Sequence, residues 1–341
     1  MPDVVVYRVP LVTRFRGLTE RDGVLLRGDA GWAEFSPFWD YEVRGAAPWW
    51  RAAREAADLG WPAPVRDVVP VNVTVPAVDP DQARAIVAGS GCTTAKVKVA
   101  DPGRPAGQDE ARVAAVRDAL GPAGRIRVDA NAAWDADTAV ARIRALDRAA
   151  GGLEYVEQPC RTVDELVAVR RRVDVPIAAD EAIRLAADPM AAVRAGACDV
   201  VVLKVAPLGG VRACLALAER VGLPVVVSSA LETSVGLAAG LALAAALPEL
   251  PYACGLATAR LLADDVVADP LLPVGGVIGV RRPEPDPELL AAAAERARAA
   301  GDDRRWAARM LAVQGLTGQG VTVQGVTVQG SAGGRQVEED R

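Results

Sequence analysis

Eight short apolar runs, separated by helical segments, constrain the fold of this chain more than any other feature. They recur at roughly 20 to 30 residues, the spacing that successive strand and helix pairs require. The runs are VNVTV at Val71, AKVKV at Ala95, IRVDA at Ile126, LEYVEQ at Leu153, PIAADE at Pro176, DVVVLKV at Asp199, PVVVSS at Pro224 and YACGL at Tyr252. Strands that alternate with helices form a parallel sheet. The pattern therefore predicts an α/β barrel whose eighth run is the weakest.

The segments on either side of these runs predict a second, smaller domain. Residues 3–38 alternate β-rich runs with turns, residues 46–59 have helical spacing, and the Pro-rich stretch 62–70 marks a boundary. Beyond the eighth run, LLPVGGVIGV near Leu271 is β-like and residues 287–300 are helical. We expect a capping domain at 1–65, the barrel at 66–258, a C-terminal segment at 259–314 that returns to the cap, and a disordered low-complexity tail at 315–341.

Charge and cysteine usage exclude several classes of function. The net charge is −5 and the arginines are scattered, so nucleic acid is not an expected partner. The longest apolar stretch, 235–247, is shorter than the roughly 20 residues that cross a bilayer, and the N-terminus lacks a signal-peptide pattern. The five cysteines contain no C-x-x-C pair and are expected to be small core residues in a reducing compartment. We expect a cytoplasmic protein that does not bind membranes.

Lysine and histidine are unusually scarce in this chain. It has no histidine, and only Lys96, Lys98 and Lys204 among its 39 basic residues are lysines. The lack of histidine excludes Ser-His-Asp and Cys-His catalysis, together with the usual ligand of zinc, copper and non-haem iron. Either basic residue can supply a surface charge, but only a lysine can be tuned towards neutrality and carry protons. The three lysines are therefore candidates for the chemistry.

Acidic residues end three consecutive predicted strands. Asp129 closes IRVD, Glu157 closes LEYVE, and Asp180 with Glu181 closes PIAADE. The carboxyl ends of barrel strands form the mouth where active sites lie. Three carboxylates there repel one another unless a cation lies between them, and oxygen ligands suit Mg²⁺, with Mn²⁺ as a substitute. A helix N-cap explains any single acid equally well, but three in register favour a metal site.

The lysines belong to the same predicted mouth. Lys96 and Lys98 are two residues apart on one strand and share a face, whereas Lys204 ends a later strand. The barrel interior places them over the metal from opposite sides. The carboxylates supply the anionic partners that buried ammonium groups need. The alternative is a buried ion-pair network without catalysis.

These motifs together resemble a known family. The K-x-K strand, VDAN, VEQP, ADE and LK are similar to the muconate-lactonizing branch of the enolase superfamily, over nearly the whole chain. The resemblance implies a modified (β/α)8, TIM-like (β/α)7β barrel under an α+β cap formed by both terminal segments. It also implies a lysine base and Mg²⁺ that stabilises an enediolate. SSALETSVG at Ser228 and CGLAT at Cys254 resemble segments of the o-succinylbenzoate synthases, the dehydratases of menaquinone biosynthesis.

The resemblance implies a mechanism for a small carboxylate substrate, a cyclohexadiene that bears a succinyl group and a hydroxyl. Lys98 removes the proton beside the carboxylate and protonates the departing hydroxyl in a syn elimination. Lys204 stabilises the anion from the opposite face, and Lys96 lowers the pKa of Lys98 by repulsion. The expected metal ligands are Asp129, Glu157 and Asp180. The expected orienting or substrate-contacting residues are Asn131, Glu181, Ser228, Ser229, Gly255, and Arg14 and Arg16 of a capping loop at 13–22.

Three alternatives stay open at this point. The same site could racemise an N-acylated amino acid, with Lys98 and Lys204 serving opposite faces. A metal-free Schiff-base aldolase could use Lys204. A non-enzymatic binding protein would need the carboxylates to be structural. A dipeptide epimerase is disfavoured, because YACGLATAR lacks the acidic Asp-x-Asp motif of those enzymes.

Overall fold

The computed structural model describes residues 3–318. The strands are β1 (Val4–Phe15), β2 (Leu18–Gly28), β3 (Gly31–Phe35), β4 (Val68–Pro70), β5 (Val73–Val75), β6 (Thr94–Lys98), β7 (Arg125–Asp129), β8 (Tyr155–Glu157), β9 (Ile177–Ala179), β10 (Val200–Leu203), β11 (Val225–Val227) and β12 (Val277–Gly279). The α-helices are α1 (Val43–Arg54), α2 (Pro80–Ala88), α3 (Ala106–Leu120), α4 (Ala136–Ala150), α5 (Val163–Arg170), α6 (Glu181–Arg184), α7 (Ala191–Arg194), α8 (Val205–Leu208), α9 (Val211–Val221), α10 (Ser234–Ala246), α11 (Pro287–Ala299) and α12 (Asp302–Thr317).

The barrel consists of one curved parallel sheet. Its seven strands are hydrogen-bonded in the order β11-β10-β9-β8-β7-β6-β5, and nearly every residue in them is buried. Burial on both faces explains why these strands appear in the sequence as continuous apolar runs rather than alternating ones. The fold class predicted from their spacing is confirmed.

The eighth apolar run closes the barrel without forming a full strand. Cys254 makes a parallel bridge with Val71, before β5, and Gly255 makes one with Ser228, after β11. A side chain at position 255 would come within 2.6 Å of the Ser228 hydroxyl, so glycine permits this close approach. Two single bridges thus take the place of the eighth strand, which accounts for the weakness of its sequence signal.

The cap is built on a three-stranded antiparallel sheet, β1-β2-β3. Helix α1 follows and continues as a π-helix over Glu55–Leu59, so the predicted helix at 46–59 begins earlier and changes type. Helix α11 packs against β1, and α12 packs against α1. The almost wholly apolar α10 contacts both β11 of the barrel and β3 of the cap.

The C-terminal region differs in two respects from the sequence expectation. The β-like run near Leu271 forms β12, which pairs with β4 inside the Pro-rich stretch rather than with the cap sheet. Helix α12 extends to Thr317, past the predicted start of the low-complexity tail at 315. The tandem VTVQG repeats of that tail lie outside the described residues.

Helix starts in the barrel follow local capping chemistry. Asp79 caps α2 and Asp135 caps α4, each accepting a hydrogen bond from a backbone N–H of the first turn. Thr162 and Glu165 form a capping box at α5. None of the helices within residues 3–318 is long and apolar enough to span a membrane. Side-chain caps thus fix the starts of α2, α4 and α5.

Candidate active site

The predicted acids and lysines meet at the carboxyl ends of neighbouring barrel strands. Lys98, Asp129 and Glu157 are the last residues of β6, β7 and β8, and they lie side by side in the parallel register. Asp180 and Lys204 follow the ends of β9 and β10. Asp180 precedes α6 but makes no side-chain capping bond. The N-cap alternative therefore does not account for this aspartate.

Each lysine is hydrogen-bonded to the row of carboxylates. Lys96 Nζ lies 3.1 Å from both oxygens of Glu157 and 3.5 Å from Asp129 Oδ2. Lys98 Nζ lies 2.5 Å from the same Asp129 oxygen. Lys204 Nζ lies 2.6 Å from Asp180 Oδ2, at the other end of the row. Lys98 and Lys204 thus flank the carboxylates, with Lys96 beneath Lys98 on the same strand face.

The second oxygen of Asp180 is held by a residue that the sequence analysis did not single out. Arg184 Nε donates to Asp180 Oδ1 at 2.9 Å, and Arg184 Nη2 donates to Glu181 Oε1 at 2.6 Å. The same guanidinium donates to the hydroxyl of Tyr41, which follows the cap sheet. A cap side chain therefore reaches the acidic row through a single arginine.

Burial and neighbouring charges set the protonation of the lysines in opposite directions. Burial lowers the pKa of Lys98, and this effect together with repulsion by Lys96 outweighs attraction by Asp129. Burial also acts to lower the pKa of Lys96, but the charges of Glu157 and Asp129 raise it above its ordinary value. Lys98 is the easier of the two to deprotonate, as a general base requires.

The carboxylates are also unequal. Burial and repulsion by Asp129 raise the pKa of Glu157 to about 7. Burial disfavours ionisation of Asp129 too, but Lys98 and Lys96 outweigh it and hold the pKa of Asp129 below its usual range. Lys204 and Arg184 likewise outweigh burial and hold the pKa of Asp180 low. The row thus has two acids held in the ionised form and one, Glu157, whose ionisation is disfavoured.

The donor set suits a hard divalent cation. Glu181 Oε2 is buried and has no hydrogen-bond partner among the described residues, and burial with repulsion by Asp180 raises the pKa of Glu181. Among residues 3–318, no three acids or cysteines are already arranged as a metal cage, and the carboxylates of the row are paired with lysine ammonium groups. The unpartnered oxygen and the all-oxygen ligands nevertheless fit Mg²⁺.

An open cleft of about 850 Å³ lies above this row, between barrel and cap. The predicted residues that line it are the three lysines and all of the residues expected to orient a ligand or the substrate: Lys96, Lys98, Lys204, Asn131, Glu181, Ser228, Ser229, Gly255, Arg14 and Arg16. The three predicted metal ligands, Asp129, Glu157 and Asp180, are at most 1% exposed beneath it.

Several lining residues have defined partners. Asn131, at φ 46°, accepts a 2.8 Å hydrogen bond from Lys98 and donates to Glu181 at 3.4 Å. The Ser229 and Thr258 hydroxyls are 2.6 Å apart. Arg16 pairs with Asp40 at 3.3 Å within the cap. Asn131 thus connects Lys98 to Glu181 across the cleft.

Three residues that support the acidic row were missed from the sequence. Arg184 lies four residues after Asp180, so helical spacing could have revealed it. Gln158, within the VEQP motif, accepts hydrogen bonds from the backbone N–H groups of Asp180 at 2.9 Å and Ala182 at 3.1 Å. Tyr41 is remote in sequence and carries no local signal. All three act on the acidic row rather than on the cleft wall.

Family models match both parts of the chain. A model described as enolase C-terminal domain-like matches residues 79–286, and one described as enolase N-terminal domain-like matches residues 6–57. The first includes every predicted metal ligand and lysine. The second covers β2, β3 and all but the first two residues of β1.

Curated relatives match along most of the chain. It is 69% identical over 285 residues to o-succinylbenzoate synthase from Thermobifida fusca (strain YX), covering 84% of this chain and 89% of that protein. It is 53% identical over 290 residues to o-succinylbenzoate synthase from Mycolicibacterium smegmatis, covering 85% and 89% respectively. Similarity of this extent includes both the cap and the barrel.

Solved structures share the fold at low sequence identity. Muconate lactonizing enzyme from Pseudomonas fluorescens, complexed with muconolactone, superposes with a TM-score of 0.74 at 23% identity, covering 85% of this chain and 97% of that one. N-succinyl Arg/Lys racemase from Bacillus cereus gives a TM-score of 0.72 at 20% identity, covering 85% and 96%. At such identities the likeness shows the fold alone.

Proposed function

Because this chain belongs to the enolase superfamily and, within it, to the o-succinylbenzoate synthase family, we propose that it dehydrates 2-succinyl-6-hydroxy-2,4-cyclohexadiene-1-carboxylate to 2-succinylbenzoate in menaquinone biosynthesis. It is a lyase that breaks a carbon–oxygen bond. The observation that carries this conclusion is the 69% identity, over 84% of the chain, to a relative with that activity in its name.

Lys98 is the proton carrier in this proposal. Its neutral amine takes the proton from the ring carbon beside the carboxylate, and the resulting ammonium gives that proton to the hydroxyl, which leaves as water. The lowered pKa of Lys98 supports this role, since a larger fraction of the amine is then neutral. Before it acts as a base, Lys98 must lose its ammonium proton and leave Asp129, and Asn131 at 2.8 Å remains to orient the neutral amine.

Lys204 supplies a positive charge at the other end of the row from Lys98. Its ammonium would stabilise the negative charge that develops on the substrate when the proton leaves. Lys96, held by Glu157, stays protonated and repels the charged form of its neighbour Lys98. The three lysines therefore have separate roles: carrying the proton, stabilising the anion and tuning the carrier.

Members of the superfamily use a divalent metal, and in this chain we assign its binding to Asp129, Glu157 and Asp180. Mg²⁺, with Mn²⁺ as a substitute, supplies Lewis-acid stabilisation of the substrate carboxylate when bound. Arg184 and Gln158 hold Asp180 in place from its side-chain oxygen and its backbone respectively. The five cysteines are free and buried, consistent with the cytoplasmic location that we propose.

The test compares three reactions of the purified protein. We expect the cyclohexadiene to lose water in the presence of Mg²⁺, chelator to abolish the reaction, and added Mg²⁺ or Mn²⁺ to restore it. Exchange of the α-proton of both enantiomers of an N-succinylamino acid, without turnover of the diene, would instead support racemisation. Borohydride trapping of a substrate on Lys204 in chelator would support the aldolase, and absence of Mg²⁺ binding by calorimetry would favour a binding protein.

A further inference from the structure

Arg21, on strand β2 of the cap, is a buried cation that the reaction outlined above does not use. Its side chain is almost fully enclosed, and its hydrogen bonds within the described residues go to neutral oxygens. Nε donates to the carbonyl of Leu231 at 3.0 Å, and Nη1 donates to the carbonyl of Asp22 at 2.8 Å. Nη2 donates to the hydroxyl of Ser36 at 2.9 Å and to the Ser36 carbonyl. The buried carboxyl groups of Glu34 and Glu232 interact with this charge through space, whereas the direct hydrogen bonds of the guanidinium hold backbone and hydroxyl oxygens in place.

The bond to Leu231 crosses from the cap to the barrel. Leu231 lies in the 228–233 loop, which follows β11 and lines the cleft through Ser228, Ser229, Ala230 and Leu231. The backbone of Leu231 is left-handed, with φ 64°, a conformation that costs a branched residue roughly 1–2 kcal/mol. Such strain persists only where the surroundings enforce it. The carbonyl of this strained residue is the group that Arg21 holds.

The same guanidinium is linked to the turn between β1 and β2. Most of the predicted capping loop at 13–22 is strand, and only Arg16 and Gly17 form this turn. Arg21 lies 4.4 Å from the centre of the Phe38 ring, and Arg16 lies 4.2 Å from the same ring centre. Phe38, Arg16 and Leu231 all line the cleft. Arg21 therefore connects this turn, through Phe38, to the 228–233 loop on the barrel.

A second cap residue holds the far end of the 228–233 loop. Glu34 Oε2 accepts hydrogen bonds from the backbone N–H of Thr233 at 3.0 Å and from its hydroxyl at 2.5 Å. Glu34 also accepts from Tyr7 and Ser36 in the cap. The loop is thus fixed to the cap at two points, of which the Arg21 contact is the one at the strained residue that faces the cleft.

We propose that Arg21 is a positioning residue that holds the 228–233 loop in its substrate-binding conformation and so sets substrate affinity. This inference rests on the proposed function, because it takes the cleft wall formed by this loop to contact the substrate. The proton-carrying and metal-binding groups lie on other strands. Loss of Arg21 should therefore act on substrate binding rather than on the chemical step or on the cation.

The first test is kinetic and uses Arg282→Met as a matched control. Arg282 also donates to three backbone carbonyls, those of Ala30, Trp32 and Ala56, but these lie within the cap and not at the cleft. We expect Arg21→Met to raise KM for the cyclohexadiene by about tenfold or more, the worth of a charge-assisted hydrogen bond, with little change in kcat or Mg²⁺ affinity. Arg21→Lys should recover part of the loss. Equal KM in Arg21→Met and Arg282→Met, or a fall in kcat alone, would overturn the proposal.

The second test removes the strain. Glycine adopts positive φ without cost, so in a Leu231→Gly background Arg21→Met should raise KM by a smaller factor than in the native background. If the two changes simply multiply, Arg21 does not act through Leu231 and the proposal fails. This cycle also serves if Arg21→Met alone folds poorly, since the same comparison can be made with Arg21→Lys.

The third test is independent of turnover. Hydrogen exchange of the backbone amides in the 228–233 loop should accelerate in Arg21→Met and stay unchanged in Arg282→Met. Unchanged exchange in both variants contradicts the proposal even if the wild-type protein is active. If the wild-type protein does not dehydrate the diene, the proposed function fails, whereas accelerated exchange still shows that Arg21 positions the loop.

Discussion

Strand β7 carries two fully buried charged side chains on its inward face, and they lie in different surroundings at opposite ends of the barrel. Arg127 and Asp129 are two residues apart and both are 0% exposed. Arg127 lies in the amino-terminal half of the barrel, where it donates to Asn72 at 3.1 Å and to the carbonyl of Ala253 at 2.6 Å, and pairs with Glu154. Asp129 lies at the carboxyl end, bound to two lysines that reach the cleft.

The difference shows that burial of charge does not by itself mark a site. Arg127 is covered by the rings of Tyr155 and Tyr252, at 4.7 and 5.6 Å, and it closes the bottom of the barrel. No residue of this cluster lines the cleft described above. At the other end of the same strand, Asp129 does not line the cleft either, but its partners Lys96 and Lys98 do. Contact with groups that line the cleft distinguishes the charges that we propose to be reactive from the structural ones.

The largest expected effect is a loss of activity on changing a residue at the carboxyl end of the barrel. Lys98→Arg keeps the positive charge but cannot exchange a proton at working pH, so kcat should fall by about 10⁴-fold, equivalent to about 5.5 kcal/mol. Steady-state assay with saturating Mg²⁺ measures this loss, and thermal unfolding should show a folded variant. A Lys98→Arg protein that keeps substantial activity would remove the lysine from its assigned role.

The next largest effect is a loss of stability on changing Arg127, at the amino end of the barrel. Arg127→Met should lower the free energy of unfolding by about 3–5 kcal/mol, because it leaves the buried Asn72 side chain and the partly buried Glu154 carboxylate without their cationic partner. Denaturant unfolding measures the change. Activity per folded molecule and Mg²⁺ affinity should remain near those of the wild type. A variant of native stability with reduced Mg²⁺ affinity would mean that the two ends are not separate.

A smaller effect concerns the link between cap and acidic row. Arg184→Met frees Asp180 Oδ1 and Glu181 Oε1 from their common donor, and should weaken Mg²⁺ binding by about 10- to 100-fold, as for other groups that orient metal ligands. Tyr41→Phe removes only one contact of Arg184 and should cost less. Titration calorimetry without substrate measures both. Tighter Mg²⁺ binding in Arg184→Met would show that the arginine competes with the cation.

The smallest effect is a control on the outer surface. Arg84 pairs with Asp81 at 2.9 Å and with Asp118 at 3.4 Å, but its side chain is 46% exposed. Arg84→Ala should change the free energy of unfolding by less than about 1 kcal/mol and leave kcat and KM unaltered. The comparison with Arg127 depends on exposed ion pairs contributing little to stability. A larger loss of unfolding free energy in Arg84→Ala would contradict that premise.

The sequence predicted the barrel and the positions of the main charged groups because both depend on local signals. Apolar runs alternating with helices define the strands, and an acid or lysine at the end of a run is placed at the mouth by chain direction alone. Asp129, Glu157, Asp180 and Lys98 could therefore be named before their neighbours were known. Their assigned roles stay predictions until the variants are measured.

Other features depended on residues that are distant in sequence. The pairing of β12 with β4 inside the Pro-rich stretch was not predicted, because three-residue strands carry almost no periodic signal. Arg127 looked like any other arginine in a chain rich in them, and only the barrel shows that it is fully buried. No pattern in the sequence connects Arg21 with Leu231, 210 positions later.

By itself the sequence determined the order of strands, the residues at their ends and the family to which the chain belongs, since these follow from periodicity and motif. The tertiary structure decided which charges face the cleft, which lysine binds which carboxylate, and how the cap holds the acidic row and the 228–233 loop. Hydrogen bonds and ion pairs depend on distances of a few ångströms between side chains, and chain folding alone sets those distances.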